Sequence, residues 1–428
     1  MVLVYSHNTS VRLSYICSFI FKELMGVDFS VTTHITSFKE HNGPKINYSS
    51  KQITGDEIFV RAGNLLYEKG IKEQTIECFE INNYKAFYKT TDSDFPFDIF
   101  AASFYLLSRY EEYLPYKKDM YGRYAHENSL AYKENFLHLP LINIWLKDFA
   151  ETIQKKYSIF NIQYPAFNFL PTYDIDIAYS YKGKGFIRSA GGFLRSPSLE
   201  RLQVLLGTKK DPFDTYDWLD SLHERYQLYP IYFFLLAQKN GIYDKNILPN
   251  TDIMKALIKR LTNKYVFGIH PSWQSGDDAY SLQKEKHLLR ELSESRITKS
   301  RQHYIRFHLP ETYRKLIADD ITDEYSMGYG SINGFRASVA SSFYWYDLLH
   351  EEQTTLRIHP FCFMEANSFY EQKLSPEQAF DELMHYYKIC KEANGTLITI
   401  FHNHMIGSDK LFEGWGKMYE QFLQQVAK

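Results

Sequence analysis

The chain has 428 residues, of which 44% are hydrophobic and 17% aromatic, and its formal net charge is −2. This length exceeds what a single hydrophobic core usually supports, so two domains are expected. The near-neutral charge, with no basic excess, argues against nucleic acid as a partner.

The first part of the sequence predicts a small α/β domain that ends near residue 165. The predicted strands and helices, in chain order, are Val2–Tyr5, Val11–Leu24, Glu57–Val60, Ile99–Tyr113 and Leu139–Tyr157. Asp98 is the expected N-cap of the helix that follows it. The N-terminus lacks the basic and apolar segments of a signal peptide, and no apolar run approaches the roughly 18 residues of a membrane span. We therefore expect a cytoplasmic protein without a membrane span.

After residue 165, short apolar strands alternate with longer helical stretches, which is typical of a parallel sheet, open or closed into a barrel. The predicted strands are Phe167–Tyr173, Pro230–Leu236, Tyr265–Ile269, His303–Phe307, Ile321–Tyr325, Thr355–Ile358 and Leu397–Phe401. A glycine-rich segment, 183–192, is interpreted as a mobile loop. The sequence thus predicts an N-terminal domain over 1–165 and a β/α barrel over 166–428.

Acidic and imidazole side chains follow several of the predicted strands. Asp174 and Asp176 follow the first strand, His270 follows the third, and His402 and His404 follow the last. In parallel α/β barrels, reactive groups collect at the C-terminal ends of the strands. The combination therefore indicates a functional site more strongly than any of these residues does alone.

The two aspartates lie two residues apart, so in a strand both side chains point to the same side. Two carboxylates that face one cavity repel each other, and a divalent metal ion removes that conflict. One carboxylate can then bind the ion while the other acts as a general base. For an isolated pair of this kind, a turn or a helix cap is the more frequent explanation.

Other positions offer compatible chemistry. His270 can bind zinc through a neutral imidazole, or form a core hydrogen bond instead. His402 and His404 share a face at the mouth of the predicted barrel, where one of them can protonate a leaving group. Arg336 can hold a carboxylate in its ionised form, unless it lies at the surface.

These residues resemble the motifs of the NodB-homology polysaccharide deacetylases, which form carbohydrate esterase family 4. The resemblance covers about residues 165–428, and its motifs follow the family's order as Thr172–Asp176, Gly268–His270, Phe335–Ala337 and Thr399–His402. Residues 1–165 look like an uncharacterised N-terminal region that is fused to such domains in bacteria. Phe97–Ala101 and Arg109–Tyr113 are its marks.

The resemblance implies a distorted (β/α)7 barrel that removes an acetyl group from a bacterial glycan or its precursor, with N-acetyl favoured and O-acetyl as the alternative. It implies that Asp174 is the general base and that Arg336 orients it. Asp176 and His270 would bind zinc or a similar divalent ion, and His402 would be the general acid. The 35 Tyr and 32 Phe residues suit a carbohydrate partner, although a compositional bias explains them equally well.

One departure from the family pattern concerns the third metal ligand. The family usually has a second histidine four residues after the first, and here Gln274 occupies that position. The third ligand can be Gln274 or His303, or metal binding can be lost; we favour His303 because imidazole binds zinc better. The alternatives to a metal-dependent deacetylase are a catalytically inactive module that binds a glycan or a partner, and a metal-free hydrolase that keeps Asp174 and His402.

Overall fold

The computed structural model describes residues 1–158, 162–183, 199–276 and 278–426. Most of the glycine-rich segment, from residue 184 onward, lies outside the described residues. The described strands form a four-stranded sheet, a two-stranded sheet and a nine-stranded sheet. The protein is therefore a mixed α/β protein with extensive parallel sheet, in agreement with the sequence prediction.

The N-terminal region contains a four-stranded parallel sheet and a short antiparallel hairpin. Its elements are β1 (Val2–Ser6), α1 (Val11–Cys17), β2 (Phe29–Thr32), α2 (Ile35–Glu40), β3 (Lys45–Ser49), β4 (Ile58–Arg61), β5 (Phe79–Ile81), β6 (Tyr84–Ala86), α3 (Ile99–Leu107), α4 (Leu130–Lys133) and α5 (Leu141–Lys156). The order of the parallel sheet is β2-β1-β3-β4, and β5 pairs with β6.

Two predicted helices change form before their predicted ends. The first continues from α1 as a π-helix over Ser18–Leu24. The second stops at α3 because Arg109 adopts a left-handed conformation, with φ of 55°, before a 3-10 helix over Tyr110–Tyr113. The N-cap prediction is confirmed, since the Asp98 side chain accepts a hydrogen bond from the backbone N–H of Ala101 at 2.9 Å.

The C-terminal region supplies the nine-stranded sheet and the helices packed around it. Its strands are β7 (Asn168–Ile175), β8 (Ile231–Phe234), β9 (Val266–Ile269), β10 (Lys299–Ser300), β11 (Asp323–Glu324), β12 (Phe343–Asp347), β13 (Glu352–Ile358), β14 (Phe363–Met364) and β15 (Thr396–His402). Its helices are α6 (Leu199–Leu205), α7 (Tyr216–Tyr226), α8 (Asp252–Thr262), α9 (Ala279–Ser293), α10 (Glu311–Ala318), α11 (Pro376–Glu392) and α12 (Trp415–Val426).

The order of the large sheet is β12-β13-β11-β10-β9-β8-β7-β15-β14. All neighbours are parallel except β12 and β13. The register of β15 against β7 runs from Thr396↔Asn168 to His402↔Asp174, so a strand near the C-terminus lies beside the first strand of the sheet. Within the described residues no ladder joins β13 to β14, which leaves an open seam between these two strands.

The prediction of a strand over His303–Phe307 is wrong. The strand lies slightly earlier, as β10, and His303–Ile305 forms a 3-10 helix. Tyr304 and Ile305 have φ angles of 59° and 55°, and such left-handed conformations cannot continue a strand. His303 therefore lies shortly after its strand and not at the start of one.

One hydrophobic core extends from the N-terminal sheet into the large sheet. Polar contacts also cross between the two regions. The Tyr15 hydroxyl donates to the carbonyl of Tyr344 at 2.7 Å, and Nε of Arg12 donates to Glu351 Oε2 at 2.9 Å. A division at residue 165 therefore stays a prediction. In the described part of the chain, no helix is both long and apolar enough to cross a membrane.

Candidate active site

The strand ends of the large sheet bring five of the predicted site residues to one cavity. Its wall includes Asp174, Asp176, His270, His303 and His402. Asp174 lies in β7 and Asp176 directly after it, while His402 ends the neighbouring strand β15. The cavity has a volume of about 530 Å³, within the roughly 300–1,000 Å³ range of small-ligand sites.

Asp176 lies at the centre of this group. Its Oδ1 is 3.2 Å from Nε2 of His270, and its Oδ2 is 3.3 Å from Nε2 of His303. The ligand atoms of these three residues all lie within 4.8 Å of one another. One carboxylate and two imidazoles form a donor set that suits zinc. Oδ1 of Asp176 is buried without a hydrogen-bond partner among the described residues, which leaves it available to a cation.

Hydrogen bonds on the far side of two imidazoles determine which nitrogen faces Asp176. Nδ1 of His270 lies 2.6 Å from the carbonyl oxygen of Arg301 and donates to it. Nδ1 of His303 lies 3.0 Å from Oδ1 of Asp244. Both rings therefore turn Nε2 toward the carboxylate. Partners of this kind orient metal-binding histidines.

Gln274 takes no part in this group. Its side chain is exposed, and its Nε2 donates to Oδ2 of Asp244 at 3.4 Å. His303 therefore lies beside Asp176 and His270 as a candidate third ligand, whereas Gln274 is not among the residues that line the cavity.

Charge interactions between the carboxylates and imidazoles are strong because the group is buried. Burial would raise the pKa of Asp176, but the imidazoles of His303 and His402 outweigh this effect and hold the pKa well below its usual range. Burial would lower the pKa of His303, yet the carboxylates of Asp176 and Asp244 raise it to about 9. A cation in the same position would compete with these protons.

A buried glutamate holds His402 in its protonated form. Glu365 accepts a hydrogen bond from the backbone N–H of His402, and its Oε1 lies 2.9 Å from Nδ1 of the ring. Burial would lower the pKa of His402, but the carboxylates of Glu365 and Asp176 raise it to about 10. Nε2 of His402, 3.4 Å from Oδ2 of Asp176, therefore carries a proton at neutral pH.

His404 also lines the cavity, with its ring centroid 5.5 Å from that of His402. Its pKa is shifted in the opposite direction to that of His402, because burial and the neighbouring charge of His402 lower it to about 3. A neutral imidazole is a poor proton donor, so of the two histidines on this face His402 is better suited to act as an acid.

The prediction that Arg336 contacts Asp174 is wrong. Nε and Nη2 of Arg336 instead bind the two carboxylate oxygens of Glu112, at 2.8 and 2.6 Å. The physical reason is that Arg336 belongs to a long loop that packs on the N-terminal region. Arg301 directly follows β10, at the same end of the sheet as the site, and its Nη1 donates to Oδ1 of Asp174 at 2.9 Å.

Arg301 is buried and held from several sides. Its Nη1 also donates to Oγ1 of Thr172 at 2.7 Å, and its guanidinium lies 4.4 Å from the centroid of the Phe233 ring. Its carbonyl oxygen is the acceptor for His270. A single residue thus orients both the second carboxylate, Asp174, and a candidate metal ligand.

Residues away from the strand ends complete the cavity wall. Tyr121 and Arg123 reach it from the N-terminal region, Tyr243 and Lys245 from the loop after β8, and Tyr304 from the 3-10 helix. None of these residues is expected at the site from the sequence. Nothing in the sequence marks a turn in one region as a neighbour of strand ends in another.

Comparison with known protein families gives a match at the start of the chain. Residues 2–158 match a family of unknown function (DUF7033). No curated protein matches the chain.

Among the solved structures that are similar to this chain, the following three each cover 61% of it. A protein described as a polysaccharide deacetylase from Mycobacterium smegmatis has 11% identity over 84% of its length and a TM-score of 0.41. The Puue allantoinase has 9% identity over 83% of its length and a TM-score of 0.39. A further protein described as a polysaccharide deacetylase, from Pseudomonas aeruginosa PAO1, has 12% identity over 84% of its length and a TM-score of 0.39.

Proposed function

We propose that the chain is a metal-dependent hydrolase that removes an acetyl group from a sugar derivative, with an N-acetyl group preferred over an O-acetyl group. The substrate would be a bacterial glycan or its precursor. The observation that supports this most directly is the convergence of Asp176, His270 and His303 beside a second carboxylate and a protonated imidazole. We further propose that residues 166–428 form a distorted (β/α)7 barrel, open at the seam between β13 and β14, and that residues 1–165 form an N-terminal domain.

Asp176, His270 and His303 would hold a divalent ion, zinc or one similar to it. When bound, the ion supplies a Lewis acid that polarises the acetyl carbonyl and lowers the pKa of water. The donor set fits this role because Arg301 and Asp244 occupy Nδ1 of the two rings and leave Nε2 free. Three protein ligands are also what catalytic zinc sites use, since they leave a coordination position open.

Asp174 is the group placed to accept a proton. It is buried, and its Oδ1 is occupied by the guanidinium of Arg301. Its Oδ2 lies 3.7 Å from Nε2 of His270, next to the candidate metal ligands. This oxygen would take the proton of the water molecule that attacks the acetyl carbonyl.

His402 is the group placed to donate a proton. Glu365 holds its Nδ1, so Nε2 is directed into the cavity. The C–N bond of the substrate would break as the sugar nitrogen takes this proton, and the products would be acetate and the free amine. A donor that is protonated before the reaction starts is what this step requires.

The metal content of the purified protein tests the first part of the proposal. We expect a bound divalent ion in the unsubstituted chain and its loss in Asp176→Ala, measured by elemental analysis. Asp252→Asn, an exposed carboxylate at the start of α8, is the control that should keep the ion. The metal proposal fails if the chain holds no divalent ion and neither its stability nor its activity responds to zinc, cobalt or manganese.

Acetate release from an N-acetylated oligosaccharide tests the second part. Asp174→Asn should keep the ion but lose turnover by about 100-fold to 10,000-fold, the usual contribution of a general base. Turnover at the unsubstituted rate would show that the role is assigned wrongly. If the ion is bound and no N-acetyl or O-acetyl glycan releases acetate, a catalytically inactive module that binds a glycan or a partner becomes the better description.

A further inference from the structure

A turn of the N-terminal region, residues 117–124, forms one wall of the cavity; we call it the 117–124 turn. Lys118 and Tyr124 form an antiparallel bridge at its base. Tyr121 and Arg123, which lie between them, line the cavity together with the strand-end residues. The proposed deacetylation gives this turn no role.

Asp119 closes the 117–124 turn with hydrogen bonds. Its Oδ1 accepts from the backbone N–H groups of Tyr121 and Arg123, each at 2.9 Å, and its Oδ2 accepts from Nε of Arg123 at 2.7 Å. The backbone N–H of Gly122 donates to the carbonyl of Asp119 at 3.0 Å. A turn closed in this way presents its side chains in a fixed arrangement, which reduces the entropy cost of binding a ligand.

Arg123 fixes the turn to the cavity wall. Its side chain is buried, with 4% of the residue exposed, and its Nη1 donates to the carbonyl of Tyr304 at 2.6 Å. Tyr304 directly follows His303, a candidate metal ligand. The turn is therefore held beside the reaction centre, although it belongs to a distant part of the sequence.

Tyr121 belongs to a cluster of four aromatic rings. Its ring centroid lies 5.3 Å from that of Tyr304, 6.0 Å from that of Tyr243 and 6.1 Å from that of Trp273. Trp273 stacks on Tyr243 at 3.9 Å, and the guanidinium of Arg306 lies 4.4 Å from its centroid. Trp273 thus supports the cluster, and the three tyrosine rings line the cavity.

We propose that this aromatic cluster is a sugar subsite, and that the 117–124 turn selects substrates with a second pyranose ring attached to the sugar that is deacetylated. The Tyr304 ring contacts both Tyr121 and His303, with centroid distances of 5.3 and 4.6 Å, so the cluster begins next to the reaction centre. Tyrosine rings combine an apolar face for the C–H groups of a pyranose with a hydroxyl for its oxygens. The inference rests on the proposed deacetylation for the reacting sugar.

The charges of the cavity wall are mixed, with Lys245 among the carboxylates, and an uncharged pyranose ring needs no charged partner there. Arg123, the cation of the turn that lines the cavity, already pairs with Asp119. The carboxylates that line the same cavity are Asp174, Asp176 and Glu371. A diphosphate would bring two further negative charges toward these groups, whereas a sugar brings none.

Binding measurements on the full chain test the subsite without relying on turnover. All variants carry Asp174→Asn, so that the probes, the monomer and the tetramer of N-acetylglucosamine, are not hydrolysed during calorimetric titration. Tyr121→Ala should weaken binding of the tetramer about 3-fold to 10-fold, the worth of one aromatic contact, and leave binding of the monomer unchanged. Tyr121→Phe should keep most of the affinity. Met120→Ala, in the same turn but at a residue 86% exposed, is the matched control.

Each alternative outcome has a separate meaning. Three results would overturn the proposed subsite. They are an equal loss of affinity for monomer and tetramer in Tyr121→Ala, no loss of affinity for either, and no binding of the tetramer by the parent chain. Tighter binding of UDP-N-acetylglucosamine than of the tetramer, lost in Tyr121→Ala, would assign the cluster to a nucleotide. If Tyr121→Ala does not fold, Tyr121→Leu removes the aromatic face at similar volume. Tyr121-dependent binding of the tetramer without acetate release from a chain that retains Asp174 would refute the deacetylation and keep the subsite.

Discussion

Asp174 and Asp176 lie two residues apart, yet they meet different kinds of neighbour. Asp174 contacts a permanent charge of the protein, the guanidinium of Arg301, whereas Asp176 contacts imidazoles that can lose their protons. A metal ion can displace the protons that these imidazoles share with Asp176, whereas it cannot displace the guanidinium that is paired with Asp174. This difference supports Asp176 as the ligand and Asp174 as the base.

Arg301 should therefore matter for the rate more than for metal binding. In Arg301→Lys the charge remains, but the guanidinium that donates through Nε to the carbonyl of Tyr325 and through Nη1 to Asp174 and Thr172 is lost. We expect kcat to fall about 10-fold to 100-fold, because a small displacement of a base is costly, while elemental analysis shows an unchanged metal content. Unchanged turnover would show that Asp174 does not need this partner.

The pH dependence of kcat/KM reports on His402. Burial lowers the pKa of this residue, while Glu365 and Asp176 raise it, to about 10. Glu365→Gln removes one raising charge, so the pKa of His402 falls and the protonated form is lost at a lower pH. The alkaline limb of the kcat/KM profile should therefore move to lower pH. A limb that stays in place would exclude His402 as the proton donor.

At the scale of elements, the long loop after β11 joins the C-terminal region to the N-terminal region through buried ion pairs. Glu112 binds Arg336 on one side and Arg109 on the other, with a distance of 2.7 Å between Nε of Arg109 and Oε1 of Glu112. Arg109 also binds Glu111. Since all four groups are buried, their charges depend on each other for compensation.

Removing one partner of this network should destabilise the protein strongly. Arg336→Met leaves part of the Glu112 charge uncompensated, at a cost of about 3–5 kcal/mol in the free energy of unfolding. Arg336→Met with Glu112→Leu should recover part of this loss, because Arg109 keeps Glu111. Denaturation in urea measures both. Equal stability of Arg336→Met and the unsubstituted chain would contradict this account.

At the scale of the whole molecule, one hydrophobic core serves both regions. We therefore expect a single calorimetric unfolding transition, and we expect a fragment of residues 166–428 to lack cooperative unfolding, because its part of the core and Arg336 lose their partners. Two separate transitions, or a fragment that unfolds cooperatively with the unsubstituted metal affinity, would instead support two independent domains.

The sequence was informative where a site residue follows a long apolar strand. Asp176 and His402 could be recognised because β7 and β15 are long and marked by apolar residues. Arg301 could not, because β10 has only two residues and gives no periodic pattern. The left-handed conformation of Tyr304, which displaced the predicted strand, also has no sequence signal, since glycine is absent there.

Contacts between distant segments could not be predicted from the sequence, for a different reason. Arg123 and Tyr304 are 181 residues apart, and the pairing of Arg336 with Glu112 spans 224. A single sequence shows local periodicity but not which surfaces meet, so it gave Arg336 the partner that the family motif implied. The strand order and the open seam between β13 and β14 also depend on which distant segments meet, so they could not be predicted from the sequence.

The pairing of β7 with β15 has a consequence for biosynthesis. Asp174 and His402 are register partners, yet the strand that carries the proposed base leaves the ribosome long before the strand that carries the proposed acid. Until β15 arrives, one edge of β7 has unpaired backbone groups and invites association with other chains. We therefore expect the exposed edge of β7 to be most prone to association between the synthesis of β7 and that of β15, and the proposed site to be complete only once β15 has paired.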